Sequence, residues 1–362
     1  MTVLVSPLNW GFGHAGRMIP VALELKRRGC EVIFAGDACL LEMASRELPG
    51  IRLVEITGLR IRYSRYLPQY ICIFLQLTRI IASALAEHRA LRRLVREMNP
   101  SLIISDNRFG FYHRKVRSVY VTHQLQIPFP RTLRFMEPLA GWLHRLIINR
   151  YDLCLVPDFP GDENLSGRLS HGVRLPRNMM YTGPLSRFDS HYECEDAEVV
   201  TGNPYVCLIL SGPEPQRTML LEKTVDVLRG VKLVILSTGP APHTFCETHP
   251  EVIFVTAPAR ETMHRFIASS SLVVARAGYT SLMELFMMDR GAVIIPTPGQ
   301  TEQEYIGIHL NGKYGFQTLK QDKLELLPDL AHPAIAGSGA DISFAKALFE
   351  KAIDCLLEQK KK

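Results

Sequence analysis

A glycine turn followed by hydroxyl and carboxylate side chains lies near residue 280. Residues 272–275 are apolar and β-prone, Gly278 follows them, and a helical pattern begins at Thr280 and Ser281. The unpaired amides and the dipole at the start of a helix favour negative charge. Glu284 lies one turn further along the same helix face, where a carboxylate can accept both hydroxyls of a ribose. These residue types suit a nucleoside diphosphate at the turn. On their own they favour the alternative, a helix capped by Thr280 or Ser281 with Glu284 near its positive end.

A second apolar run leads out of that helix into a polar loop. Residues 292–295 form the run, and a loop containing proline and glycine follows at 296–305. The polar side chains of this loop are Gln300, Glu302, Gln303 and Glu304. Strand, glycine turn, helix, strand and polar loop make up a βαβ unit, whose functional edge lies at the carboxyl ends of its strands. The sequence therefore places the polar loop beside the predicted diphosphate site.

A histidine lies in a second glycine-bearing loop, near the start of the chain. His14 stands between Gly13 and Ala15, after a predicted strand at residues 2–5 and before a predicted helix at residues 20–28. Because little bulk surrounds it, we expect His14 at a loop tip. An imidazole titrates near neutrality, which suits a general base that removes a proton from a hydroxyl. A loop histidine that bonds to the backbone is the alternative.

An aspartate ends another predicted strand, at residues 102–106. A carboxylate behind an imidazole fixes the tautomer of the ring and stabilises the imidazolium that forms in base catalysis. Asp106 is therefore a candidate partner of His14. An aspartate that shapes the turn after the strand explains this position equally well.

The loop after a predicted strand at residues 205–210 also carries groups suited to phosphate. Ser211, Gly212 and Arg217 occur in it, just before a predicted helix. A proline-shaped turn with a solvated arginine explains the same residues equally well. Arg217 is therefore a candidate phosphate ligand with an open alternative.

Length and composition indicate a globular protein of two domains. The chain has 362 residues, of which 47% are hydrophobic and 22% charged, and a chain of this length usually divides its core. Eight scattered cysteines without a C-x-x-C motif or a Cys/His cluster argue for free thiols in a reducing cytosol and against a zinc site. We expect no signal peptide, because a strand-like run at residues 3–5 opens the chain, and no membrane span, because no stretch has about 20 apolar residues.

The net charge of +6 suits an anionic substrate or an anionic membrane surface, and no nucleic-acid-binding motif accompanies it. Arginines and apolar residues alternate within residues 55–98. The arginines are Arg60, Arg62, Arg65, Arg79, Arg89, Arg92, Arg93 and Arg96. The apolar residues at helical spacing are Ile71, Phe74, Leu75, Ile81, Ala82 and Leu85. A helix lying on anionic lipid is one interpretation; a surface helix whose apolar face joins the core is the one we favour.

The residues around the first glycine turn resemble a known signature. Arg276-Ala277-Gly278, Ser281, Glu284 and the loop at 296–305 are similar to the nucleotide-sugar signature of GT-B glycosyltransferases, above all of the MurG-like enzymes that form lipid II. The implied ligands of the diphosphate are Arg276, Gly278, Thr280 and Ser281. The implied contact of the uridine ribose is Glu284. The implied contacts of the sugar are Gln300, Gln303 and Glu304.

The N-terminal glycine loop resembles the corresponding loop of GT-B enzymes. Its Gly-x-Gly-His-x-x-Arg pattern, at residues 11–17, implies that His14 is the catalytic base or lines the acceptor site, with Gly13 beside the nucleotide sugar. Asp106 matches an aspartate that orients this histidine in many GT-B enzymes. Two residues fall where the lipid-II enzymes approach the acceptor: His123 and Gln126. The pattern also resembles a Gly-His-x-x-Arg subgroup that includes a UDP-sugar hydrolase, so transfer and hydrolysis both stay open.

Motifs and resemblance together predict an α/β fold. We expect two doubly wound, parallel-sheet, Rossmann-like domains that face each other across a cleft, which is the GT-B architecture. The predicted boundaries are 1–188 for an acceptor-binding domain, 189–342 for a nucleotide-sugar-binding domain and 343–362 for a closing helix and basic tail. A polar linker is predicted at 189–203.

The resemblance implies inverting, metal-independent transfer of a hexose or N-acetylhexosamine from a UDP-sugar to an acceptor hydroxyl. The acceptor is free or lipid-linked, and no cofactor is expected beside the donor sugar nucleotide. We expect a cytoplasmic protein, with peripheral contact to the inner face of an anionic membrane as an open alternative and no nucleic-acid partner. A UDP-sugar hydrolase and a non-catalytic nucleotide-sugar-binding protein are the competing functions.

Overall fold

The chain forms two compact units, each with its own sheet. The computed structural model describes residues 1–59, 61, 64, 67–172, 175–188, 204–330 and 341–358. The first unit comprises Met1–Arg62, Tyr70–Arg187 and Asp341–Lys362, and the second comprises Tyr63–Gln69 and Phe188–Ala340. Several parts of the sequence-based predictions lie outside the described residues: the linker at 189–203, the tail at 359–362, Arg60, Arg62 and Arg65.

Thirteen described strands and twelve described α-helices alternate along the chain. The strands of the first unit are β1 (Thr2–Pro7), β2 (Glu31–Gly36), β3 (Arg52–Glu55), β4 (Leu102–Asp106), β5 (Arg117–Val121), β6 (Leu153–Val156) and β7 (Met179–Tyr181). Those of the second unit are β8 (Val206–Leu210), β9 (Leu233–Ser237), β10 (Ile253–Thr256), β11 (Leu272–Arg276), β12 (Ala292–Ile295) and β13 (Phe316–Thr318).

The helices fall mostly in the connections between these strands. In chain order they are α1 (Phe12–Arg27), α2 (Ala38–Glu47), α3 (Gln69–Leu75), α4 (Leu77–Met98), α5 (Glu137–Ile148), α6 (Gln216–Val227), α7 (Phe245–Thr248), α8 (Arg260–Ala268), α9 (Tyr279–Met287), α10 (Thr301–Leu310), α11 (Leu327–Leu330) and α12 (Ile342–Leu357).

Both sheets are parallel and doubly wound. The seven-stranded sheet of the first unit has the order β3-β2-β1-β4-β5-β6-β7, and the six-stranded sheet of the second has the order β10-β9-β8-β11-β12-β13. The strand order therefore reverses between β1 and β4 in one unit and between β8 and β11 in the other. Ligands of such sheets bind outside the carboxyl ends of the strands at these reversals. The predicted fold class of two parallel-sheet α/β domains is confirmed.

The strands are apolar because helices cover both faces of a parallel sheet. In β1, Val3 and Val5 belong to one buried cluster and Leu4 to another, as expected for side chains that alternate across a strand. The C-terminal helix α12 packs into the first unit: its Ala352, Ile353 and Leu356 join the same cluster as Val3. The guanidinium of Arg117, in β5, holds the C-terminal end of α12 by donating to the carbonyls of Cys355 and Leu356, at 2.9 and 3.0 Å.

The first helix differs from its prediction. It begins at Phe12, not at Pro20, and Pro20 lies inside it. Residues 20–28 were predicted from the apolar positions Val21, Ala22 and Leu25, which continue a pattern that starts earlier in the chain. Gly11, with φ 135°, makes the turn into the helix in a region that favours glycine. The prediction that His14 occupies a loop tip is therefore wrong, because His14 lies in the first turn of α1.

The arginine-rich segment forms α3 and α4, which meet at a bend of 64°. The favoured interpretation, that its apolar face joins the core, is wrong for four residues. Phe74 is 70%, Leu75 67%, Ile81 54% and Leu85 56% exposed. Across the described part of the chain, no single helix has the length and apolarity of a membrane span, although the bent pair α3–α4 reaches both when taken together.

Candidate functional site

Four polar side chains gather at the strand reversal of the first sheet. His14 and Arg17 come from the first turns of α1, which follows β1; Asp106 ends the neighbouring β4; His123 follows β5. Pro7 and Asp106 are paired across β1 and β4, so the chain leaves β1 beside the residue that ends β4. Arg17 and Asp106 are fully buried, and His14 retains an exposed edge.

Arg17 joins these groups into one hydrogen-bonded cluster. Its Nε donates to Asp106 Oδ2 at 2.8 Å, and its Nη2 makes a further bond to Oδ1. Nδ1 of His14 lies 3.1 Å from Asp106 Oδ2 and 2.9 Å from Arg17 Nη2. Nη1 of Arg17 lies 3.0 Å from Nδ1 of His123. The structure thus brings together the predicted pair of His14 and Asp106, and it adds an arginine to which no role was assigned from the sequence.

The charges of this cluster follow from burial and from Arg17. Burial alone would raise the pKa of Asp106, but the guanidinium of Arg17 and the imidazole of His14 hold it down at about 2. Burial lowers the pKa of His14; Asp106 raises it and Arg17 lowers it again, and the net direction is downward. At neutral pH the site therefore holds an ionised carboxylate beside a neutral imidazole, which is the state a general base needs.

The two predicted acceptor-side residues have different surroundings. His123 is buried against Arg17 and belongs to the cluster. Gln126 donates from Nε2 to Glu137 Oε2 at 2.8 Å, and its backbone N–H bonds to the carbonyl of Leu169. Gln126 therefore anchors the start of α5, so its predicted contact with an acceptor gains no support from the geometry.

The strand reversal of the second sheet is formed mainly by backbone. Helix α9 begins at Tyr279, one residue before the predicted start, with Gly278 as its N-cap. Thr280 and Ser281 lie within its first turn, so neither of them is the N-cap residue of the helix. The alternative in which one of these hydroxyls merely caps α9 is therefore wrong. The start of this helix stands at the carboxyl edge of β11, next to β8.

Gly278 is not required by its own conformation. Its φ of −79° and ψ of 127° are open to any residue, so the turn into α9 does not depend on a conformation that only glycine favours. A methyl group built on Gly278 would meet no atom of the described residues within 4 Å. A glycine here leaves the first amides of α9 accessible from outside, as a phosphate-binding turn needs.

Two charged residues near this turn are buried in the second unit. Arg276, 2% exposed, donates to the carbonyl of Gln216 at 2.8 Å and of Ile295 at 3.4 Å. Its guanidinium therefore ties the ends of β11 and β12 to the start of α6, and its interpretation as a direct diphosphate ligand stays a prediction. Burial lowers its pKa to about 10, so it remains a cation at neutral pH. Glu284 is 4% exposed and has a partner within the protein; its ribose contact stays a prediction.

The remaining predicted ligands shape their own loops. Arg217 donates from Nε to Glu214 Oε1 at 2.7 Å and from Nη1 to Ser237 Oγ at 2.8 Å. Oε1 of Gln303 accepts from the backbone N–H of Thr297 at 2.9 Å. These contacts fix the loops at the carboxyl edge, so a direct role of Arg217 or Gln303 at a ligand stays a prediction.

The end of the polar loop is helical. Gln303 and Glu304 belong to the first turn of α10, and Gln300 is its half-buried N-cap. Oε1 of Glu304 accepts from the N–H of Gly299 at 2.8 Å. Gly13 lies beside His14 in α1 and is half-buried. Within the described ranges, no three His, Cys, Asp or Glu side chains converge as metal ligands would.

Comparisons with known proteins agree with this architecture. The family model of the Glycosyltransferase family 28 C-terminal domain matches residues 214–322. An "uncharacterized glycosyltransferase" of Methanosarcina mazei is 23% identical over 333 residues, which is 84% of this chain and 82% of the relative. The UDP-N-acetylglucosamine–N-acetylmuramyl-(pentapeptide) pyrophosphoryl-undecaprenol N-acetylglucosamine transferase of Amoebophilus asiaticus is 23% identical over 370 residues, covering 98% and 95%.

Solved structures extend the likeness to the whole fold. The spinosyn rhamnosyltransferase SpnG, complexed with thymidine diphosphate, superposes with a TM-score of 0.62 at 15% identity, covering 99% of this chain and all of the other. At this identity the likeness shows the fold alone. Fold and family match together support a GT-B glycosyltransferase. In particular, the chain resembles the MurG-like enzymes, so the resemblance found in the sequence is confirmed.

Proposed function

We propose that this protein transfers a hexose or N-acetylhexosamine from a UDP-sugar to an acceptor hydroxyl, with inversion at the anomeric carbon. The observation that carries the proposal is the 3.1 Å contact between His14 Nδ1 and Asp106 Oδ2 at the strand reversal of the first sheet. The A. asiaticus relative is named for a UDP-N-acetylglucosamine donor, and SpnG was solved with a nucleoside diphosphate. Both names support the donor class.

The proposed proton transfer runs through Nε2 of His14. With Nδ1–H directed at the ionised Asp106, the lone pair of Nε2 accepts the proton of the acceptor hydroxyl. The acceptor oxygen then bonds to the anomeric carbon on the face opposite the diphosphate. The bond from that carbon to the diphosphate oxygen breaks, its electron pair leaves with UDP, and the configuration inverts. Asp106 stabilises the imidazolium formed in this step.

The leaving diphosphate is stabilised, in this proposal, by the start of α9. The amides of its first turn and the helix dipole face the charge that develops on the phosphate. Arg276 adds a fixed positive charge from two residues before Gly278, although its hydrogen bonds go to backbone carbonyls. We propose that this arrangement serves without a divalent cation. The test of metal independence is an assay after treatment with a chelator, in which we expect the activity to survive.

We also propose that the acceptor is lipid-linked and that the first unit touches the inner face of an anionic membrane. Exposed apolar residues of α3 and α4 support this, together with the arginines of α4. We call Phe74, Leu75, Leu77, Ile81 and Leu85 the α3–α4 face. Helix α5 exposes a comparable set: Leu139, Trp142, Leu143 and Leu146. Apolar residues beside arginine are typical of helices that lie on anionic lipid.

Hydrolysis of the UDP-sugar is a second candidate, because the spacing of His14 and Arg17 matches the Gly-His-x-x-Arg pattern. The assay measures release of UDP from a panel of UDP-sugars, with and without lipid-linked or soluble acceptors. Release that depends on an acceptor, together with a glycosylated product, supports transfer. Stoichiometric free sugar without acceptor supports hydrolysis. If the wild type and His14→Ala both bind the UDP-sugar and neither releases UDP, the protein is a non-catalytic nucleotide-sugar-binding protein.

A further inference from the structure

Arg17 is a fully buried cation that contacts every other member of the cluster. It bonds both oxygens of Asp106, and its two Nη atoms lie within 3.0 Å of Nδ1 of His14 and of His123. A guanidinium carries five N–H donors and no acceptor. Each imidazole nitrogen that faces the guanidinium at this distance must therefore be the acceptor of the hydrogen bond.

For His123 this requirement settles the tautomer. Its Nδ1 lies 3.0 Å from Arg17 Nη1, and two N–H donors cannot share one such contact. Nδ1 of His123 therefore carries the lone pair, and in the neutral ring the proton stands on Nε2.

For His14 two partners compete for the same nitrogen. Nδ1 lies 2.9 Å from Arg17 Nη2 and 3.1 Å from Asp106 Oδ2. If Nδ1 accepts from Arg17, the ring proton is on Nε2, and Nε2 cannot take a proton from an acceptor hydroxyl. If Nδ1–H donates to Asp106, Nε2 is free to act as the base. The catalytic competence of His14 thus depends on which partner it bonds.

We propose that Arg17 is a positioning residue that determines which ring nitrogen of His14 carries the proton, holding a resting form in which Nδ1 accepts from Arg17. Asp106 already accepts two hydrogen bonds from Arg17, so a further hydrogen bond from the imidazole N–H stabilises its carboxylate less. Exchange of the His14 proton from Nε2 to Nδ1 converts the resting form into the base. This inference rests on the proposed function only for its consequence in catalysis; the tautomer itself belongs to the protein alone.

The groups that face His14 come from three elements. Arg17 lies on its own helix, Asp106 ends β4, and His123 follows β5. Of these, Arg17 and His123 disfavour the imidazolium and Asp106 favours it. Removal of Arg17 therefore leaves a carboxylate as the dominant neighbour, and the proton of His14 moves to Nδ1.

The test is a long-range ¹H–¹⁵N NMR spectrum of the histidine rings, with His14 assigned by its loss in His14→Gln. In the wild type we expect the proton of neutral His14 on Nε2. In Arg17→Gln we expect it on Nδ1, with the pKa of His14 raised because the neighbouring positive charge is gone. Arg17→Lys keeps the charge without the planar fork, so the pKa should stay low while the tautomer shifts. A wild-type His14 protonated on Nδ1 would overturn the proposal.

Kinetics give a second readout that a merely structural role would not move. If His14 is the base, the acidic limb of the kcat/KM profile should move to higher pH in Arg17→Gln by the shift seen in the NMR titration. If kcat/KM falls by the same factor at every pH, the acidic limb stays where it is in the wild type and the tautomer of His14 is unchanged, the proposal is contradicted. Arg17→Gln leaves Asp106 buried without its cation, and this variant can fail to fold. The double variant Arg17→Gln/Asp106→Asn then removes both charges of the pair. The position of the His14 proton in the wild-type spectrum tests the proposal without any variant of Arg17. If the NMR spectra show the expected tautomers but the wild type turns over no UDP-sugar, glycosyl transfer is rejected, and the role of Arg17 in placing the His14 proton stands.

Discussion

The two strand reversals of this protein share one topology and differ in what occupies it. In the first sheet, four ionisable side chains bond to one another across α1, β4 and the end of β5. In the second, the edge is the start of α9, and the buried Arg276 is bound to backbone carbonyls. A doubly wound sheet thus provides the place, and the local residues decide the chemistry. The first edge suits proton transfer and the second suits an anion.

This difference implies different sensitivities. A cluster of side chains fails when a charge or a ring is removed, because its members depend on one another. A helix start fails when bulk is added, because its amides come from the backbone. Substitutions that remove charge should therefore act at the first reversal, and substitutions that add a methyl group should act at the second.

Replacing His14 should have the largest effect. We expect His14→Gln to lower the rate of UDP release by about 10²- to 10⁴-fold, the range for loss of a general base. Because the start of α9 is unchanged, the affinity for UDP should stay as in the wild type. Calorimetric titration with UDP and a coupled UDP-release assay measure the two quantities. The exposed His243 provides the control His243→Gln, and equal losses of rate in both variants would reject the assignment.

Replacing Asp106 should change the response of the first unit to acid. Its pKa of about 2 lies below the 3.8 usual for aspartate, so its ionised form stabilises the folded state above about pH 4. As pH falls from about 4 to about 2, protonation removes about 2 kcal/mol from the free energy of unfolding. In Asp106→Asn this part of the pH dependence should be missing, while the protein is less stable at neutral pH because Arg17 stays buried without its carboxylate.

Tryptophan fluorescence isolates the first unit in this measurement. The chain has two tryptophans, Trp10 and Trp142, and both belong to the first unit. Urea unfolding followed at pH 6 and pH 3 therefore reports on the unit that contains Asp106. The surface aspartate of the second unit, Asp226, supplies Asp226→Asn as the matched control. A pH dependence that is the same in wild type and Asp106→Asn would contradict the expected role.

Adding one methyl group at Gly278 should weaken donor binding. Gly278→Ala places a side chain where no atom of the described chain stands within 4 Å, so the fold should lose less than about 1 kcal/mol of stability. The methyl group would project in front of the first amides of α9, and we expect about tenfold weaker binding of UDP, or about 1.4 kcal/mol. Gly141→Ala, also in open surroundings but in α5, is the control. Unchanged affinity for UDP would place the diphosphate elsewhere.

The two reversals also show what the sequence predicts and what it cannot. The run at residues 292–295 coincides with β12, and the start of α9 was missed by one residue, because apolar runs and glycine are local signals. Asp106 was foreseen as a candidate partner of His14 from its place at the end of a predicted strand, with a turn-forming role equally open, and the resemblance to GT-B enzymes added support. Arg17 and Asp106 are 89 residues apart, and such a contact leaves no trace in local periodicity. Since the glycines before Arg17 predicted a loop, the single helical turn that joins His14 to Arg17 was not visible either.

The apolar faces of the first unit provide the last contrast. Spacing in α3 and α4 predicted an apolar side, but periodicity does not tell what covers it, and the residues are exposed. In Phe74→Ser/Leu75→Ser we expect about tenfold weaker binding to anionic vesicles, because two exposed side chains lose their transfer into lipid. The second unit offers the control Ile308→Ser, 74% exposed on α10. Sedimentation with vesicles rich in phosphatidylglycerol measures the effect, and Trp142 fluorescence on the same vesicles reports whether α5 takes part. Equal binding of wild type and the double variant would reject membrane contact through α3 and α4.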